Sequence, residues 1–228
     1  RCGIPKRRCP VPKSGIKKEK EMRTISNQKY EITDIAHERY PWLHRIRALR
    51  QIRENVVAGD IGGFVEFEKN LDTDSDDSSW IYDNAIACGN AFVNEDSIVY
   101  GGAIVRDNAY ITKKSSLSGR AVVMEDAMVQ TGFVLDEAVV AGNGMVLERD
   151  GYSPIVRNGA SVFGRVYGNI LIDGEASVIT ENEVLGHLGR DTLCIKNGKR
   201  SVERLHDPRE LTQKPAQRIR QASRDDAR

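Results

Sequence analysis

Aromatic residues make up only 6% of this 228-residue chain, which has four histidines and four cysteines. So few rings cannot build a thick aromatic core, and the expected core is thin and aliphatic. Cys2, Cys9, Cys88 and Cys194 are scattered without a Cys-x-x-Cys pair. That spacing excludes a disulfide framework and a zinc site of ordinary form. No run of about 18 apolar residues is present, so no membrane-spanning helix is expected. No apolar stretch near the first residue has the form of a secretory signal, and a soluble cytoplasmic protein is the expectation. His37, His44, His187 and His206 leave residues 45–186 without a histidine. A general base for acyl transfer is commonly a histidine, so this gap weighs against catalysis by the middle of the chain.

Charge is abundant but uneven. The net charge of +1 hides about +6 in residues 1–21 and about +4 in residues 191–228, against roughly −3 in 22–79 and roughly −6 in 80–190. The first 21 residues, RCGIPKRRCPVPKSGIKKEKE, have no apolar periodicity and are expected to be a disordered basic tail, with Met22 as a natural start. Residues 191–228 are expected to be a second charged, disordered tail. Both tails offer Lys and Arg to phosphates, but without interleaved aromatics, so only weak nucleic-acid binding is expected of them.

Between the tails the chain counts in sixes. Small residues stand at Ala85, Ala91, Ser97, Ala103, Ala109, Ser115, Ala121 and Ala127. Two places after each stands Ala87, Val93, Val99, Val105, Ile111, Leu117, Val123 and Val129, with Leu135 continuing the second column. A fixed short period is the mark of a solenoid, and a period of six points to a parallel β-helix. Residues two apart on a strand face the same way, so the small and the aliphatic residue both point inward. Asp83-Asn84, Gly89-Asn90, Gly101-Gly102 and Asp107-Asn108 supply corners between strands. Three corners close a triangular coil of about eighteen residues. The phase breaks after Leu135, with a restart expected three residues early at Ala138/Val140 and Gly144/Val146, and resumes at Gly164/Val166, Ile170/Ile172 and Ala176/Val178. Residues 147–158 fit no hexad and are expected to form an extruded loop. About five coils are expected over residues 80–190, ending near Leu188. Residues 22–79 read as a small β-rich cap, with strands at Tyr30–Ile35 and Leu43–Ile52 and a turn entering a strand at 58–65.

The block RIRALRQIRENVVAGDIGGFVEFEKNL followed by WIYDNA resembles the YdcK-like proteins of bacteria and their phages, a branch of the hexapeptide-repeat proteins labelled as transferases. The likeness covers about residues 42–146. It implies a left-handed parallel β-helix and a homotrimer. Many hexapeptide-repeat proteins are acyltransferases that take a coenzyme A thioester between subunits, so acetyl-CoA is the cofactor the likeness would imply. The residues themselves favour a non-catalytic scaffold or binding protein, with no cofactor, no metal and a protein partner. The run Asp72-x-Asp74-x-Asp76 opens like a calcium loop, but Asp77 stands where that loop needs glycine. Arg149, Asp150 and Tyr152 put polar chemistry on the extruded loop, which by itself reads as solvation.

The residue between each inward pair points out. It is Ile86, Phe92, Ile98, Ile104, Tyr110, Ser116, Val122 and Met128 in succession. Eighteen residues per coil stacks Ile86, Ile104 and Val122 on one face and Phe92, Tyr110 and Met128 on the next. Two contiguous apolar columns of this kind are expected to be interfaces, one against the cap and one against identical subunits.

Overall fold

In the computed structural model, which describes residues 27–204, the chain is an all-β parallel solenoid of about seven turns. Three parallel sheets run its length, one per face. The first face stacks Ile61–Val65, Ile86–Ala87, Ile104–Val105, Val122–Val123, Val139–Val140, Ser161–Val162 and Val178–Ile179. The second face stacks Phe92–Val93, Tyr110–Thr112, Met128–Gln130, Met145–Leu147, Arg165–Gly168 and Val184–His187. The third begins at Trp80–Ile81 and ends at Thr192–Lys196, with Lys199–Glu203 folded back on it. The register steps by eighteen residues where the sequence repeat is regular, pairing Ile86 with Ile104 and Ile104 with Val122.

The inward columns match the alternation rule. Val105, Ile111, Leu117, Val123, Val129, Ala103, Ala109, Ala121 and Ala127 are all fully buried. Burying each Val or Leu contributes about 1.5–3 kcal/mol, so stability accumulates turn by turn. On the third face the small positions are Ser97 and Ser115, also fully buried. Their hydroxyls are satisfied internally: Ser115 Oγ donates to the Thr112 carbonyl at 2.5 Å, and Ser97 Oγ accepts the Ser115 N–H at 3.2 Å.

The fold starts earlier and ends later than the repeat suggests. Ile61–Val65 already pairs in parallel with Ile86–Ala87, and Leu71 bridges to Val93, so the first turn begins at Ile61. The cap proper is Tyr30–Ala36 paired antiparallel with His44–Ala48, which pairs antiparallel with Ile61–Val65. At the far end, Thr192–Lys196 completes the seventh turn, and a tight turn at Asn197-Gly198 returns the chain along it to Glu203. Strands therefore continue past the boundary drawn at residue 191, at least as far as Glu203. Residues 1–26, including the basic tail and Met22, and residues 205–228 lie outside the described residues.

Three phase readings are corrected. The slip is one residue and precedes Leu135. Ser116 pairs with Phe133 and Leu117 with Val134, so Val134 is the buried inward residue and Leu135 packs outside against Ile155, Leu171 and Cys194. The corner from Val129 is one residue short, and Gly132 fills its small position. A Cβ there would lie 2.7 Å from Val146 Cγ1. The loop expected at 147–158 is shorter, because Leu147 belongs to a second-face strand and Ile155–Arg157 to a third-face strand. Near the end, the inward pair is Ser177/Ile179, fully or almost fully buried, while Val178 faces out.

Candidate functional site

The outward columns are continuous and apolar, but they are not equally open. On the first face Phe64, Ile86, Ile104, Val122 and Val139 stand in register. Phe64 and Ile86 are buried, packed with Leu43, Cys88 and Tyr40 beneath the 37–43 segment of the cap. Ile86 is therefore not available to a partner, which corrects its place in the expected interface. Cap coverage stops near Ile104, and Ile104, Val122 and Val139 are half-buried. On the second face Phe92 and Tyr110 stack with ring centroids 5.9 Å apart and planes 6° off parallel. Met128 and Met145 extend that column in register, and all four are half-buried. Val139 and Met145, between the inward pairs Ala138/Val140 and Gly144/Val146, extend the two columns beyond the residues expected from sequence.

Beside the aromatic stack, Asn94 donates through Nδ2 to Tyr110 Oη at 3.1 Å. Asn94 Oδ1 and Thr112 Oγ1 are buried without a hydrogen-bond partner among the described residues. Unmet buried polar atoms cost roughly 1–3 kcal/mol each, so this edge of the second face carries a local debt in hydrogen bonding.

The chemistry-bearing side chains are dispersed. His37 packs edge-on against Phe64 at 4.7 Å, and its Nδ1 accepts the Arg39 N–H at 3.1 Å, so this ring helps to seat the cap. His44 lies in the middle cap strand, and His206 is outside the described residues. His187 is the histidine on the solenoid. Its Nε2 donates to the Asp191 carbonyl at 2.7 Å. Its strand partner is Gly168, next to Tyr167, over whose ring the Arg149 guanidinium lies at 5.0 Å. The loop carrying Arg149, Asp150 and Tyr152 closes by an antiparallel bridge between Arg149 and Tyr152, with Asp150 and Gly151 at its tip. Arg149 and Tyr167 thus stand together on the outer side of the second face, whereas His187, paired with Gly168, has the opposite parity to Tyr167.

Cys88 belongs to the apolar cluster under the cap, and burial pushes its thiol up to about 12. Burial also raises Cys194. Neither is a thiolate at neutral pH, so neither is a ready nucleophile. The acidic loop turns its carboxylates onto its own backbone: Asp72 Oδ1 accepts from the Asp74 N–H and Asp74 Oδ1 from the Asp76 N–H, both at 3.0 Å. Asp77 is taken by Lys29, Ser79 and the Asp96 N–H. Among the described residues no group of three or more His, Cys, Asp or Glu could hold a metal ion, and no helix is long and apolar enough to cross a membrane.

No protein-family model matches the chain, and no curated protein matches it.

Proposed function

We propose that this chain is a non-catalytic, self-associating β-solenoid scaffold of the hexapeptide-repeat type, a cytoplasmic trimer whose half-open columns meet copies of themselves. The observation that supports this most is the pair of registered columns, Ile104–Val122–Val139 and Phe92–Tyr110–Met128–Met145, on adjacent faces of one rigid prism. A soluble monomer rarely leaves apolar patches of this continuity in water. Two faces meeting at an edge suit closed rotational symmetry, in which each copy presents one column to one neighbour and the other column to the next. The test is light scattering of the purified protein, with Ile104→Lys and Tyr110→Lys in parallel. A trimer that each substitution dissociates supports the reading, and a monomeric parent chain overturns it.

A second reading has one observation behind it. His187 stands where the second face ends, and a histidine is the kind of base that a coenzyme-A-dependent acyltransferase uses; on the same sheet the Arg149 cation over Tyr167 suits a phosphate. Calorimetric titration with acetyl-CoA separates the two readings. Saturable binding that His187→Ala and Arg149→Ala weaken favours the transferase, and no heat in the trimer favours the scaffold.

A further inference from the structure

Three asparagines of the chain are followed by glycine: Asn143, Asn158 and Asn197. All three are exposed at corners. Asn143 lies between the first and second faces, Asn158 between the third and first, and Asn197 in the turn that returns the chain along the third face. An asparagine before glycine is able to close on itself, because no side chain shields the next backbone nitrogen. Whether it does so depends on what that nitrogen is already bonded to. The Gly144 N–H donates to the Ala141 carbonyl at 3.0 Å, and the Gly198 N–H donates to Ser177 Oγ at 3.1 Å. The Gly159 N–H has no acceptor among the described residues.

Packing holds glycine at this corner. Asn158 and Gly159 are both left-handed, at φ 53° and 79°, and a Cβ on Gly159 would lie 2.6 Å from Glu175 Cγ in the next turn. Asn158 Nδ2 donates to Asp173 Oδ1 at 2.7 Å, and Asp173 Oδ2 accepts from Arg157 Nε at 3.1 Å and Nη2 at 2.8 Å. An amide, a carboxylate and a guanidinium thus tie this corner to the next turn, and Asn158 is the neutral member of the three.

We propose that Asn158 is a self-modification site, at which deamidation turns attraction at this corner into repulsion. The Gly159 backbone nitrogen attacks Asn158 Cγ. The N–Cγ bond forms as the Cγ–Nδ2 bond breaks, and Nδ2 leaves as ammonia with the Gly159 amide proton. Water then opens the cyclic imide. Its hydroxyl goes to one of the two carbonyl carbons and its proton to the imide nitrogen, giving an ordinary or an isoaspartyl linkage. The ordinary product puts a carboxylate where Nδ2 met Asp173 Oδ1. Two carboxylates at that range disfavour each other's charge, and Arg157 must serve both. The isoaspartyl product instead lengthens the main chain by one carbon between the third-face and first-face strands.

Peptide mass spectrometry on the full chain tests this, after incubation in mildly alkaline buffer with and without denaturing urea. At Asn143 and Asn197 a hydrogen bond must break before the attack, so in the folded chain Asn158 should convert to Asp and isoAsp at least about threefold faster than either. In urea the three rates should converge, since each asparagine then has the same glycine neighbour and no fold around it. Asn158→Asp reproduces the ordinary product and should lower the urea midpoint of the fold. Equal rates in the folded chain, or faster conversion at Asn143 or Asn197, would overturn the proposal. So would an Asn158 lead that persists in urea, which would place the effect in the sequence and not in the corner. An unchanged midpoint in Asn158→Asp would overturn the repulsion.

Discussion

Lys29 Nζ sits 2.5 Å from Asp77 Oδ1, with the lysine side chain fully inaccessible to water and the aspartate nearly so. The ammonium also donates to the Asp72 carbonyl at 3.0 Å and to Ser79 Oγ at 3.2 Å, so its three protons have three acceptors. This pair ties the first cap strand to the acidic loop that enters the third face. Burial lowers the Lys29 pKa, with Asp77 opposing that fall. Burial also disfavours the Asp77 carboxylate, but hydrogen bonds from Lys29 and Ser79 outweigh it and hold the carboxyl below its usual range.

Asp77→Ala leaves the Lys29 ammonium buried without its counter-charge and should cost about 3–5 kcal/mol in urea unfolding. Replacing both, as Lys29→Met/Asp77→Leu, should recover most of that loss, since a buried pair is often matched by apolar residues of similar volume. A double variant no more stable than Asp77→Ala would contradict this account.

The same pair sets an acid limb. Asp77 is depressed in the folded protein, so its contribution is complete above the unfolded carboxyl pKa of about 3.9 and is lost as pH falls through the lower folded value. The urea midpoint should therefore drop below about pH 4, with a shallower drop in Asp77→Asn. Equal slopes in the two proteins would show that other carboxylates carry the effect.

Val105 and Ile104 are adjacent but face opposite ways, the first fully buried and the second half-exposed. Val105→Asp buries a carboxylate in an aliphatic column and should abolish the cooperative melt. Ile104→Lys should keep the β-type circular dichroism spectrum and lower the hydrodynamic mass. Ile86→Lys, on the same face but under the cap, should instead destabilise the fold. Retention of the full melting temperature in Ile86→Lys would mean that the cap does not hold that site closed.

Corner residues of like φ should respond in opposite directions. Lys113 and Lys114 are left-handed, at φ 54° and 60°, where a side chain costs about 1–2 kcal/mol. Lys113→Gly should raise stability by roughly 0.5–1 kcal/mol after the added entropy of the unfolded glycine. Gly119, at φ 68°, has the Asp136 Cα 2.7 Å from where a Cβ would stand, so Gly119→Ala should lower the melting temperature by several degrees. A rise in both variants, or a fall in both, would refute the strain argument.

The period of six made the architecture legible wherever it was unbroken. Residues 85–129 face in and out as their spacing says, because on a strand a side chain's direction depends only on parity. Parity also explains the errors. One residue lost between Val129 and Gly132 moved the inward position from Leu135 to Val134, and both are aliphatic, so composition could not report the slip. The coil count fell short because Thr192–Lys196 builds a turn without the small-and-aliphatic signature, and because Gly63/Val65, which carries it, is separated from the regular run by the acidic loop. Coverage of Ile86 was invisible for a different reason. It depends on where Leu43 and Tyr40 come to rest, which is a tertiary contact with no local pattern. The same holds for Arg149 over the Tyr167 ring, a contact set by stacking of turns that differ in length.

Because every turn pairs only with the turns before and after it, the partner of each strand lies about one coil away along the chain. A growing polypeptide could then lay each coil on the one already formed, starting from the antiparallel cap, with no wait for distant sequence. Loop closure would be the same small step repeated, and the barrier would not grow with the number of turns. On such a path the last coil is added with nothing yet above it, so the exposed rim at Val178 and Val184 is also the place where synthesis leaves the molecule most open to the wrong neighbour.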